Sequence, residues 1–162
     1  MKKLMTLVLA AMMMTAVLGG CGSKKEEAKN VDLNAFYSEI AAEYGWDDNT
    51  MMNIPDDPEL LEMYYPGISE VKTTQLIAKA PMMSAVVNEV VFLQCETEED
   101  AAKAAEILRS RITMQAEGGA WYPESMEAWS KGTVDQQGTY VAMIASAQNQ
   151  ADITARWQAQ FQ

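Results

Sequence analysis

Apolar residues recur at intervals of three and four in several stretches of the chain, the spacing of one buried helix face. Asp32 suits the N-cap of the first such helix, and Gly45 suits the position after its end. Thr97, with Asp100 three residues on, begins another helix with a capping-box-like sequence. The pattern predicts long helices over residues 32–44, over 98–117 and from about 150, with short helices over 58–63 and 124–130.

Between these helices lie runs rich in Val, Ile and Thr, which predict strands at residues 71–79, 86–95, 133–136 and 139–145. Residues 86–95 are apolar on both alternating faces, which is typical of a central strand. Residues 46–57 are rich in Asp, Asn and Pro and are expected to form a loop.

Hairpins separated by helices predict an α+β fold. We expect a two-layer sandwich, in which a small, mainly antiparallel sheet of about four strands carries helices on one face. Residues 32–162 are expected to form a single globular domain of this kind.

The first twenty residues have the layout of a secretory signal peptide. After Lys2 and Lys3, the uncharged apolar stretch is shorter than the roughly 20 residues that a typical transmembrane helix needs. Gly19 and Gly20 precede Cys21, and together they resemble the lipobox of bacterial lipoproteins, in which the Cys thiolate receives a diacylglyceryl group. We predict that residues 1–20 are removed after general export.

Two acyl chains on Cys21 would hold the protein stably at a membrane, where a single chain is marginal. Residues 21–31 are small and charged and carry no apolar period, so they are predicted to form a flexible tether. The predicted location is therefore the outer face of the cell membrane, with contact to the membrane through the lipid on Cys21.

The chain is acidic and contains no His. Its formal net charge is −11, and loss of the leader, which carries Lys2, Lys3 and no acidic residue, makes it −13. An acidic surface argues against nucleic acid as a partner. The absence of His excludes Ser-His-Asp and Cys-His catalysis and His-liganded zinc, and no Gly-rich phosphate loop occurs. We expect no cofactor and no enzymatic activity.

Cys95 and several carboxylates are the remaining candidates for chemistry. Cys95 ends an apolar strand and is interpreted as a buried small hydrophobe rather than a catalytic thiol. Neighbouring carboxylates occur at residues 47–48, 56–57 and 98–100, but general acid–base catalysis needs two carboxyls at a fixed distance in a cleft. The EF-hand spacing for calcium is absent, so no metal site is predicted.

Glu89 lies within an apolar strand, where a lone carboxylate is costly to bury. Arg109 or Arg111 on the following helix is its predicted partner in a structural ion pair. A ligand contact made by Glu89 is the alternative.

Tyr64, Tyr65, Met82 and Met83 are the candidates for a recognition surface, because all four fall in predicted connections, where function often lies. Tyr is enriched at protein interfaces, and Met adapts to varied partners. The alternative is that these side chains cap the core where loops cross the sheet.

Several runs in the chain resemble the DUF4358 domain, an uncharacterised domain of bacterial lipoproteins. They are residues 64–68, 79–85 and 88–90, the helix that holds 109–111, and the hairpin at 137–141, in an order that extends over residues 32–161. The resemblance implies a lipid-anchored extracytoplasmic domain and brings no catalytic residue.

The first functional hypothesis is thus a non-enzymatic, membrane-tethered module that binds an unidentified envelope protein or ligand. A small solute-binding or metal-binding lipoprotein is the second hypothesis, and a carboxylate-dependent hydrolase is the third.

Overall fold

The computed structural model describes residues 30–162, so the predicted leader, Cys21 and most of the predicted tether lie outside the described residues. Within the described part, the helices are α1 (Leu33–Tyr44), α2 (Pro58–Tyr64), α3 (Glu98–Met114), α4 (Pro123–Ser130) and α5 (Gln150–Ala159). The strands are β1 (Met51–Asn53), β2 (Thr73–Pro81), β3 (Asn88–Cys95), β4 (Thr133–Gln137) and β5 (Tyr140–Ser146).

The helix ends form where the local sequence signals predict them. The carboxylate of Asp32 accepts hydrogen bonds from the backbone N–H groups of Asn34 and Ala35, and Thr97 accepts one from Asp100. Each cap satisfies donors that a free helix end would leave unpaired. Gly45 ends α1 at a φ of 68°, a left-handed conformation that glycine adopts without strain.

All strand pairs in the sheet are antiparallel, and the order is β1-β2-β3-β5-β4. The predicted α+β class with a mainly antiparallel sheet is confirmed, and β3 is the central strand. The sheet has five strands rather than about four, because β1 lies inside residues 46–57, which were expected to be a loop. Met51 pairs with Pro81, so the short β1 is held in an extended conformation by its pairing with β2.

Helices pack on both faces of the sheet rather than on one. On the first face, β3 contributes Val91 and Leu93 to a core that includes Leu108 of α3 and Trp129 of α4. On the second face, Val90 and Phe92 belong to a separate core, closed by α1 and α5 through Leu33, Phe36, Ile40, Ile153 and Trp157. Central strands that are apolar on both sides need this double cover, since either bare face would expose apolar surface to water.

The described chain begins at one end of the sheet. The backbone N–H of Val31 donates to the hydroxyl of Tyr140 at 3.1 Å, and the side chain of Gln75 donates to the carbonyl of Val31 at 2.9 Å. Val31, the last residue of the predicted tether, is buried in the core. Among residues 30–162, no helix is both long and apolar enough to cross a membrane.

Candidate binding cleft

A cleft of about 670 Å³ lies at the opposite end of the sheet from Val31. It is bounded by residues 44–51, by the end of β2 and the β2–β3 connection, by α4 and by the turn after β5. We call it the end cleft. Its volume is in the range of typical ligand sites, roughly 300–1,000 Å³. Because antiparallel β5 runs from Tyr140 to Ser146, the end cleft and the start of the described chain are roughly 20 Å apart.

The β2–β3 connection carries two of the residues that were predicted to form a recognition surface. Met82 and Met83 line the end cleft and are 55% and 66% exposed. The backbone N–H of Met82 donates to the carbonyl of Thr50 at 2.9 Å, and that of Val86 donates to the carbonyl of Met83 at 3.0 Å. The connection is thus held in place while its apolar side chains remain open to solvent.

Asn88, the first residue of β3, places a polar side chain in the wall of the end cleft. Its amide nitrogen donates to the sulfur of Met51 at 3.5 Å. Its buried oxygen Oδ1 has no hydrogen-bond partner within residues 30–162. This oxygen is enclosed by protein atoms, so it is not open to an occupant of the cleft.

Helix α4 forms another wall through Glu124, Ser125 and Ala128. The hydroxyl of Ser125 donates a long hydrogen bond of 3.4 Å to the carbonyl of Ala85, which joins α4 to the β2–β3 connection. Among the described residues that line the end cleft, Glu124 is the one with a charged side chain. A hydrolase mechanism that uses two carboxylates would therefore lack its second carboxylate in this lining.

A buried ion pair lies behind this wall. Nε of Arg111 donates to Oε1 of Glu89 at 3.0 Å, and Nη2 donates to Oε2 at 2.8 Å. The side chains are 10% and 2% exposed. Two parallel hydrogen bonds give this pair a fixed geometry, which a single point contact would not. Arg109, the other candidate, is exposed.

Three aromatic residues surround the pair. The hydroxyl of Tyr65 donates to Oε1 of Glu89 at 2.9 Å, and burial, together with the nearby carboxylate, raises the pKa of Tyr65 well above its ordinary value. The guanidinium carbon of Arg111 lies 4.4 Å from the ring centre of Tyr64 and 5.3 Å from that of Trp129. Tyr65 is completely buried, so it belongs to the core rather than to a recognition surface.

A second groove of about 740 Å³ runs between α3 and the segment after α2, and Tyr64 lines it together with Lys103 and Arg111. Both of these basic residues already have carboxylate partners, Glu99 at 3.1 Å for Lys103 and Glu89 for Arg111. The end cleft is slightly smaller, but its exposed methionines make it the better candidate site. Of the four predicted recognition residues, Met82 and Met83 thus line the end cleft, Tyr64 lines the second groove and Tyr65 lies in the core.

The other sequence candidates have structural roles. Asp57 caps α2, and Asp47 accepts hydrogen bonds from Asn49 and Thr50 within its own loop. Burial raises the pKa of the Cys95 thiol to about 11, so the nucleophilic thiolate is scarce at neutral pH. The described residues contain no group of three Cys, Asp or Glu that could hold a metal ion.

Sequence reasoning missed an exposed aromatic pair next to α4, the helix that forms one wall of the end cleft. Trp121 and Tyr122 directly precede α4 and are 89% and 54% exposed. Large aromatic residues with this exposure are unusual on a surface without a partner. Their position in the connection after Gly118 and Gly119 was a usable signal, because aromatic residues in loops often contact ligands or partners.

A family model described as "Domain of unknown function (DUF4358)" matches residues 44–146, more than half of the chain. The matched region includes the buried ion pair and most of the end cleft, whose lining continues to Asn149. Neither a curated protein nor a solved structure matches the chain.

The buried pair gives a stability prediction. Glu89→Ala would leave the guanidinium of Arg111 buried without its carboxylate, and we expect the free energy of unfolding to fall by about 3–5 kcal/mol. Replacing both residues, with Glu89→Leu and Arg111→Met, removes both charges and should recover most of that loss. Urea denaturation of the full chain measures these differences.

The matched control is Glu127→Ala, which breaks an exposed pair with Lys131 and should leave the free energy of unfolding nearly unchanged, because solvent screens such a pair. Equal stability of Glu89→Ala and the unmodified protein would contradict a structural role for the pair.

Proposed function

The chain belongs to the DUF4358 family, whose description names no activity, and from its own residues we propose a lipid-anchored, non-enzymatic binding module of the cell envelope. In this proposal, the lipid on Cys21 holds the protein at the outer face of the membrane. The end cleft, with Met82 and Met83, binds another envelope component.

One observation carries the binding role. The end cleft combines a concave surface of about 670 Å³ with the exposed apolar side chains of Met82 and Met83. A cleft of this kind favours a partner that covers the apolar surface.

The position of the end cleft fits an anchored protein. Val31 lies at one end of the sheet and the end cleft at the other, so a tether that precedes Val31 would leave the end cleft directed away from the membrane. A partner in the envelope would then have free access to Met82 and Met83.

A small solute is the second candidate occupant, since about 670 Å³ is enough for one. The exposed side chains of Met82 and Met83 in the lining, and of Trp121 and Tyr122 just before the lining residue Glu124, favour an occupant larger than a small solute. A carboxylate-dependent hydrolase is disfavoured by the single carboxylate of Glu124 in the lining.

The lipid anchor is tested by metabolic labelling with an alkyne analogue of palmitate. We expect label on the full chain and none on Cys21→Ser, because the serine hydroxyl does not replace the thiolate as lipid acceptor. Cys95→Ser is the matched control, since Cys95 is the only other cysteine in the sequence, and it should label normally. Label retained by Cys21→Ser would contradict the anchor.

The binding role is tested with a photo-crosslinking amino acid at position 83 in intact membranes. We expect a defined adduct with an envelope protein, and we expect Trp121→Ser to reduce its yield because Trp121 is exposed and lies three residues before the lining residue Glu124. The control places the crosslinker at the exposed Glu96, near the opposite end of the sheet, where the adduct should not form. Recovery of only uncrosslinked protein from position 83 would contradict the proposal.

A further inference from the structure

We infer that the end cleft binds a peptide segment of an envelope protein that is basic and carries at least one large apolar side chain. This inference rests on the proposed function above and adds the chemistry of the occupant. It follows from the apolar surface, the charges and the polar groups of the end cleft.

The apolar surface is too wide for a small solute. Met82, Met83 and Val86 line the cleft, Trp121 and Tyr122 lie two to three residues before the lining residue Glu124, and all five are about half exposed or more. Trp and Tyr are the residue types that contribute most to binding at interfaces, and Met adjusts to different side chains. A peptide with a large apolar residue in the cavity would also cover these flanking side chains.

The charged residues in the lining of the end cleft and in its 46–49 loop are acidic. Glu124 lines it, and Asp47 and Asp48 lie in the same loop as the lining residues Trp46 and Asn49. Within the described part of the chain, neither Lys nor Arg lines this cavity. A basic segment is attracted by such a surface, and an acidic one is repelled.

Arg156, which is linked to the lining residue Tyr44 through Asp152, does not offset these carboxylates. Arg156 forms ion pairs with Glu43 and with Asp152, and Tyr44 of the lining also bonds to Asp152. This cluster therefore adds more negative than positive charge near one margin of the end cleft.

The polar groups of the lining also suit a peptide. Glu124 lines the cavity together with polar residues that include Asn49, Asn88 and Gln148. A peptide carries donors along its backbone and, when basic, at the ends of its side chains. One basic segment can therefore pair with Glu124 while its backbone meets the other polar groups of the lining.

The test is selection of binders from a random library of dodecapeptides on the full chain, purified in detergent. We expect the enriched peptides to have a net positive charge and at least one large apolar residue, and their affinity to fall as salt is raised. Enrichment of neutral or acidic peptides, or no enrichment, would overturn the inference.

Substitutions then locate the binding surface. Trp121→Ser should weaken the selected peptides by roughly tenfold or more, and Glu124→Gln should weaken them by roughly threefold. The control Met63→Ser replaces an exposed side chain on α2 that does not line the end cleft, and it should leave affinity unchanged. All three positions are exposed, so a thermal melt should confirm equal folding of the variants.

Equal affinity of the unmodified chain and Glu124→Gln would overturn the charge preference. If a partner is crosslinked from position 83 but the selected peptides have no preferred charge, the binding role is supported and only the inference of a basic peptide is rejected. If the crosslinking and the peptide selection both fail, the binding role and the inference are both rejected.

Discussion

The pairing of Glu89 with Arg111 is the contact on which the arrangement of the candidate site depends. A carboxylate in the centre of an apolar strand is costly unless it is paired, and two parallel hydrogen bonds from Arg111 offset that cost. Arg111 belongs to α3, and its guanidinium lies between the rings of Tyr64 and Trp129. Since Trp129 directly follows the lining residue Ala128, the pair fixes α4 against the sheet. We therefore regard the ion pair as the support for one wall of the end cleft.

Most of the fold could be predicted from sequence because its signals are local. The caps at Asp32 and Thr97 and the apolar spacing behind them depend on residues a few positions apart. Strand β1 could not be predicted, because three residues carry no usable period and Met51 is extended only through its pairing with β2. The helices on the second face of the sheet could have been predicted from the sequence. A strand apolar on both faces, as in residues 88–95, requires cover on both sides of the sheet.

The candidate site was less predictable because it is assembled from distant segments. That Glu89 needs a basic partner follows from its apolar neighbours, but the choice between Arg109 and Arg111 depends on the helix face. Arg111 lies three residues after the buried Leu108 and shares its face, whereas Arg109 is exposed. The end cleft joins segments more than a hundred residues apart, from 44 to 149, and no pattern along the chain brings them together. For the same reason, adjacent Tyr64 and Tyr65 could not be assigned to groove and core in advance.

Amide hydrogen exchange of the Arg111→Lys variant tests most directly whether the pair supports the cleft wall. Lys keeps the charge but loses the planar, bidentate contact and the stacking between Tyr64 and Trp129. The account predicts that amides of α4 exchange roughly tenfold faster in the variant, which corresponds to a loss of about 1.4 kcal/mol of local stability. Amides of α5, on the other face of the sheet, should exchange at an unchanged rate. Unchanged exchange in α4, or an equal increase in α4 and α5, would contradict the central claim.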